Sequence, residues 1–451
     1  MKLFFFLNNY KSRFFFFGNK PFFLSLIAAF LFLIIQMYLN TGTLSGYAVT
    51  LENPYVTEGY IVNYDYTHYQ CNFNFITGKP SETWNAGWVL RRELFYFLAF
   101  PFLKVFGLYT GGTIAAFIIT LIACYSLIQF TYKNIGVFQA YVAMVMLSSY
   151  SGIMYWIGSP FAQVMIVPCC CWIYIIMWKM SKTNNLYAHL GYLSIISILF
   201  TAYDLFIFFY PALILIYLKQ REWKKIGLSI PIMIIPQAII IILLKIGGAT
   251  EIKSDNSGLY LTIIKSYFNF DDLEQWYGIV INVPKILVTN FLDANFWFLP
   301  ILFLIITIWG IFKKVWFNTI ESTILISSLI VFLFNNMAPM YNDSVQMRGE
   351  WIARIYQPIF IVLMMYIVRF SGEIVKATKT QRYIFITLIS CCCIGGVILN
   401  FGVSLKSNLS QWAWHRFYQH SEPATMQKNL IKFGVRPIGF PDYTIKKTLP
   451  E

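Results

Sequence analysis

Charge is scarce in this chain. Asp, Glu, Lys and Arg make up 12% of its 451 residues, about half the share of an ordinary soluble domain. Acid is scarcer than base, with 20 Asp and Glu against 34 Lys and Arg. Six of the 8 cysteines lie in two runs, Cys169–Cys170–Cys171 and Cys391–Cys392–Cys393. Consecutive residues point around a helix rather than toward one point, so neither run can close on a metal, and both read as packing residues. Cys71 is the one clearly external cysteine, which excludes a disulfide framework. There is no Walker loop, no dinucleotide glycine motif and no HExxH, so the usual nucleotide and zinc-protease signatures are excluded. Internal repeats and Gly/Ser-rich hinges are also missing.

What fills the sequence is apolar. Hydrophobic residues reach 58% and the mean hydropathy is +0.61. About eleven runs are long enough, or nearly so, to cross hydrocarbon, which takes about 20 residues. They fall near 21–39, 112–131, 137–155, 161–178, 186–203, 205–218, 226–246, 292–312, 320–338, 355–370 and 383–403. Backbone groups in lipid must be satisfied within the segment. The expected fold is therefore an all-α polytopic membrane protein of about eleven transmembrane helices. One domain is expected over 1–403, with a long first external loop (40–111) carrying interfacial helices and a small external tail at 404–451. The stretch 93–107 is apolar but too short to span, and it predicts an amphipathic helix in the interface.

Charge gives the orientation. Lys2, Lys11, Arg13, Lys20, Lys133, Lys179, Lys182, Lys219, Arg221, Lys224, Lys225, Lys313, Lys314, Arg369, Lys376, Lys379 and Arg382 all thread to one face, against only Glu222, Glu321 and Glu373. The remaining 17 basic and 17 acidic residues go to the other face. The positive-inside rule makes the first face cytoplasmic. The N-terminus is then cytoplasmic, the C-terminus external, and the location a bacterial inner membrane or a plasma membrane. The overall +14 is accounted for by loops at a membrane surface and gives no argument for nucleic acid.

The acids, and with them any chemistry, are expected outside. The first loop reads Leu51-Glu-Asn-Pro-Tyr-Val-Thr-Glu58-Gly-Tyr-Ile-Val-Asn-Tyr-Asp65-Tyr-Thr-His68 and goes on to Trp84, Trp88, Arg91, Arg92 and Glu93. Carboxylates at a membrane interface can serve as a general base or hold a divalent cation. Asp65 and Glu58 are the candidates. Paired arginines suit bidentate phosphate recognition, and Trp88 suits a sugar face. His68 has no His or Cys partner at metal spacing. Asp204, wedged between two spans, is costly beside hydrocarbon and so a functional candidate. Tyr155 and Trp156 precede a tight turn and can line a groove. In the run Arg348-Gly-Glu350-Trp-Ile-Ala-Arg354, helical spacing would put Glu350 and Arg354 on one face, leaving Arg348 and Arg354 to grip a phosphate or to pair locally.

These residues and spans resemble the GT-C superfamily of integral membrane glycosyltransferases, which includes protein O-mannosyltransferases and the bacterial aminoarabinose transferase of lipid A. The resemblance implies a polyprenyl-phosphate-linked sugar as donor and an external glycan, lipid or protein as acceptor. It implies Asp65 or Glu58 as the catalytic carboxylate, and Arg91 or Arg92 with Arg354 as phosphate contacts. Where the family has adjacent Asp and Glu, this loop has Glu58 and Asp65 seven apart. Two other readings stay open at this point. One is a polymerase or ligase of surface polysaccharide; the other is a lipid or solute transporter, for which few mid-span charges are present.

Overall fold

A computed structural model describes residues 20–41, 56–57, 60–61, 93–106, 108–150, 153, 162–183, 185–203, 206, 209–219, 221–246, 298–337 and 348–406. Among them are twelve α-helices. They are α1 (Lys20–Thr41), α2 (Glu93–Phe106), α3 (Leu108–Asn134), α4 (Val137–Ser149), α5 (Ile166–Ser181), α6 (Leu186–Phe200), α7 (Phe209–Lys219), α8 (Trp223–Ile246), α9 (Phe298–Phe312), α10 (Thr319–Met337), α11 (Arg348–Val375) and α12 (Lys379–Lys406). A 3-10 turn at Ala162–Met165 leads into α5. Outside the helices, β1 (Val56–Thr57) pairs antiparallel with β2 (Tyr60–Ile61), Val56 opposite Ile61 and Thr57 opposite Tyr60.

Each apolar run expected to span overlaps a helix, and four helices contain windows long and apolar enough to cross a membrane. These windows are Ile114–Asn134, Trp223–Ile240, Gln357–Val375 and Lys379–Val397. Large apolar side chains cover their outer faces, among them Ile122, Ile234, Ile239 and Ile386. Such a surface is stable in hydrocarbon and not in water. The chain is a helical membrane protein.

Ring contacts and hydrogen bonds fix which helix ends meet. Phe22 at the start of α1 lies 4.7 Å from Tyr132 at the end of α3 and 5.0 Å from Tyr141 at the start of α4. Phe130 packs edge-on against Trp178 near the end of α5. His189 at the start of α6 meets Tyr217 at the end of α7 across 2.6 Å. These same ends carry Lys20, Lys133, Lys179, Lys182, Arg221 and Lys225. These cations, all assigned by the sequence to one face, thus gather at one physical end of the bundle, the basic end, and successive described helices from α3 onward alternate in direction.

Toward the opposite end, α4 is a short helix. It has 13 residues, about 20 Å, and packs on α1, α3, α11 and α12. The apolar run 137–155 was expected to be one span. The helix instead stops at Ser149, because Tyr150 takes extended backbone angles (φ −74°, ψ 112°). The last carbonyls of a helix need outside donors, and here neighbours supply them: Gln36 Nε2 of α1 donates to the Ser148 carbonyl at 2.7 Å. Gly396 of α12 presses directly on the Ser149 carbonyl, where a Cβ would collide with it. Without a hydrophobic driving force between helices in lipid, such close backbone approach is what holds them together.

Three other expectations are modified. The 355–370 run belongs to a helix of 28 residues, so its polar first turns extend beyond the apolar window. The apolar run expected at 383–403 lies within α12, which begins earlier and continues to Lys406. The 93–107 helix forms as α2, but it is not amphipathic in the sense expected. Phe95, Tyr96, Ala99 and Leu103 are buried, and Phe97, Leu98, Val105 and Phe106 are exposed, so apolar groups occupy both faces. It packs on α3 and on the 3-10 turn at 162–165. Both contacts lie at the end opposite the basic end.

Candidate functional site

Most of the expected site falls beyond what the structure describes. Glu58, Asp65, His68, Trp88, Arg91, Arg92, Tyr155 and Asp204 lie outside the described residues. Their neighbours in the chain are placed. Residues 58 and 59 fall between β1 and β2. Arg91 and Arg92 immediately precede the first residue of α2. Asp204 follows Tyr203, which is buried. Arg348 and Arg354 are in α11, in its first and second turns. The 348–354 run is therefore helical, and the i, i+4 spacing that brings positions 350 and 354 to one face holds.

Pro358 sits inside α11. Proline has no N–H, so the carbonyl of residue 354 loses its helical partner. The main chain at Arg354 thus offers an acceptor beside a cationic side chain, close to the end of the apolar window at Gln357.

Between α2, α6 and α8 lies a cavity of about 380 Å³. Leu94 and Phe97 of α2 close one side, Ser194, Ile198 and Thr201 of α6 another, and Ile235 with Pro236 of α8 a third. Its two hydroxyls are turned back on their own helix, Ser194 Oγ donating to the Leu190 carbonyl at 3.0 Å and Thr201 Oγ1 to the Ile198 carbonyl at 2.7 Å. The lining therefore offers no free donor and suits hydrocarbon. The exposed residues around it, Leu98, Ile195, Ile234 and Ile239, are apolar too. Sequence reading missed this cavity, because its walls come from segments about 100 and 140 residues apart with nothing local to link them.

A polar centre at the basic end was also missed. Glu321, in the first turn of α10, is fully buried. Asn318 N donates to its Oε2 and Glu321 N donates to Asn318 Oδ1, each at 2.9 Å, a reciprocal capping box. The same carboxylate takes a two-pronged ion pair from Arg369 of α11, Nε to Oε1 at 3.0 Å and Nη2 to Oε2 at 2.7 Å. Tyr174 of α5 donates to Oε1 at 3.4 Å. Arg369 Nη2 also reaches the Trp316 carbonyl at 2.5 Å, and Tyr366 Oη donates to the Val315 carbonyl at 2.6 Å. One carboxylate thus ties α5, α10, α11 and the α9–α10 turn together. The Asn-x-x-Glu spacing was readable as a cap; the partner 48 residues on was not.

No group of three or more His, Cys, Asp or Glu side chains that could hold a metal occurs among the described residues, and the carboxylates expected to do so lie outside them. Cys169, Cys170 and Cys171 are buried free thiols, in keeping with a packing role. Compared with family models, with curated proteins and with solved structures, the chain matches none.

Proposed function

We propose that this chain is an integral membrane glycosyltransferase of the GT-C kind. It would move a sugar from a polyprenyl-phosphate donor to a glycan, lipid or protein acceptor outside the membrane. The observation that carries the reading is the donor-free apolar cavity beside α2, the helix that Arg91 and Arg92 directly precede. A hydrocarbon chain seated in that cavity would bring its phosphate toward the arginine pair. Further support comes from the acid-rich first loop and from Arg348 and Arg354 on α11, which runs from the basic end past the end of α4.

In this reading the N-terminus and the basic end are cytoplasmic and the first loop and C-terminus external, in a bacterial inner or plasma membrane. Asp65 or Glu58 takes the proton from the acceptor hydroxyl as its oxygen attacks the anomeric carbon. The bond from that carbon to the phosphate oxygen breaks with inversion. The arginines stabilise the charge gathering on the leaving phosphate.

The test is native mass spectrometry of the purified full chain with polyprenyl phosphate, followed by transfer assays. The wild type is expected to retain the carrier, and Arg91→Ala and Arg354→Ala to lose it. Asp65→Asn or Glu58→Gln is expected to retain carrier and lose transfer. Full transfer activity in both carboxylate variants would refute the mechanism. Carrier left unbound where other lipids bind would move the assignment to a transporter.

A further inference from the structure

The basic end contains the same turn twice. Helix α7 ends with Arg221 N donating to the Leu218 carbonyl at 3.0 Å and Glu222 N to the Tyr217 carbonyl at 2.9 Å. Helix α9 ends with Lys314 N donating to the Ile311 carbonyl at 2.8 Å and Val315 N to the Gly310 carbonyl at 3.0 Å. Both are Schellman caps, whose left-handed residue is usually glycine. Here the left-handed residues are Arg221 (φ 57°) and Lys314 (φ 63°), and no other non-glycine residue among those described has a positive φ. A side chain in that conformation crowds its own carbonyl, and both of these side chains are cations.

The likeness continues past the cap. Two residues on stands an exposed tryptophan in each case, Trp223 at 67% and Trp316 at 66% exposure. A further exposed cation adjoins each, Lys224 and Lys313. The nearby acids are already engaged. Glu222 is held by Lys225 with Nζ 2.6 Å from Oε2, and Glu321 by Arg369. Arg221, Lys313 and Lys314 have no ion pair among the described residues. Tryptophan belongs at the headgroup level of a bilayer, and a cation beside it meets lipid phosphate.

We infer that the two turns are paired anchor sites for the phosphate of an anionic membrane phospholipid. Arg221 and Lys314 meet the phosphate, and Trp223 and Trp316 lie alongside at headgroup depth. This differs from a diffuse excess of positive charge, because two particular side chains are displayed from strained backbone, each two residues before an exposed indole. It also stands apart from the glycosyltransferase reading, which concerns the other end of the molecule.

The experiment is thermal unfolding of the full chain in detergent with added phosphatidylglycerol, phosphatidylcholine or inorganic phosphate. The wild-type Tm is expected to rise with phosphatidylglycerol and to stay put with the other two. An Arg221→Gly/Lys314→Gly double variant relieves the backbone, so its Tm without lipid should equal or exceed that of the wild type, while most of the rise with phosphatidylglycerol is lost. A charge-matched Lys376→Ala/Lys379→Ala control, away from both turns, should keep most of the rise, and Arg221→Lys/Lys314→Arg should keep nearly all of it. An undiminished response in the glycine variant, or an equal loss in the control, would overturn the proposal. An equal rise with inorganic phosphate would show that the turns take a free anion and no lipid.

Discussion

Replacing Glu321 with alanine removes the carboxylate on which α5, α10 and α11 converge. Glu321 is fully buried while Arg369 keeps 26% of its side chain exposed, so the variant leaves behind a guanidinium that is only partly reachable by water. Removing one partner of a buried pair costs about 3–5 kcal/mol. The partial exposure and the remaining bond to the Trp316 carbonyl put the expected cost at the lower end, about 3 kcal/mol. Losing the capping-box carboxylate adds about 0.5–1 kcal/mol. Arg369→Ala should cost a similar amount, since it strands the carboxylate in turn. The double variant strands neither charge, so it should be about 2 kcal/mol more stable than the sum of the singles implies. Reversible unfolding in mixed detergent and dodecyl sulfate micelles, followed by tryptophan fluorescence, measures all four proteins. Additivity within about 0.5 kcal/mol would show that the two side chains are not coupled, and the picture of one shared carboxylate would fail.

Other outcomes follow from separate contacts. Gln36→Leu leaves the Ser148 carbonyl without its donor and should cost about 1–3 kcal/mol, read by the same unfolding assay. Gly396→Val drives a side chain into the Ser149 carbonyl and should lower stability by about 1–3 kcal/mol, whereas Gly191→Ala, with open space around it, should be neutral or slightly favourable. Ile235→Trp fills the cavity beside α2. It should reduce carrier lipid retained in native mass spectra by severalfold without lowering Tm, and unchanged retention would remove the cavity from the donor site.

Hydropathy made the helices legible because a helix satisfies its backbone groups within its own segment in lipid. It misjudged their lengths where the helix and the apolar stretch are not the same thing. Residues 348–354 contain no proline, and their one glycine, Gly349, lies in the first turn, so α11 continues through charged residues that a hydropathy window leaves out. After Ser149 the sequence stays apolar, yet the backbone turns out of the helix at Tyr150. The exposed face of α2 shows the same gap, since a short apolar helix beside hydrocarbon needs no polar side. Charge counting put the described cations on one face, but it counted Glu321 and Arg369 only as charges of that face. Their pairing depends on how α10 meets α11, which one-dimensional patterns do not encode. For the candidate site, the helical register of Arg348 and Arg354 was readable from spacing, while the apolar cavity had no local signature. The residues of the first loop rest on chemistry and position in the chain alone.

Helix α11 is held at one end and interrupted near the other. Its Arg369 and Tyr366 clamp it to the α9–α10 turn, and about 17 Å along the helix from Arg369 Pro358 removes the bond that would stiffen the step to Arg354. The clamped length behaves as a mast stepped in the basic end, and residues 348–357 as a short boom above the proline. The backbone of the first turns of α11 then hinges on a single softened step, so a substitution such as Pro358→Ala would restore the missing bond and stiffen that segment while leaving every contact below it in place.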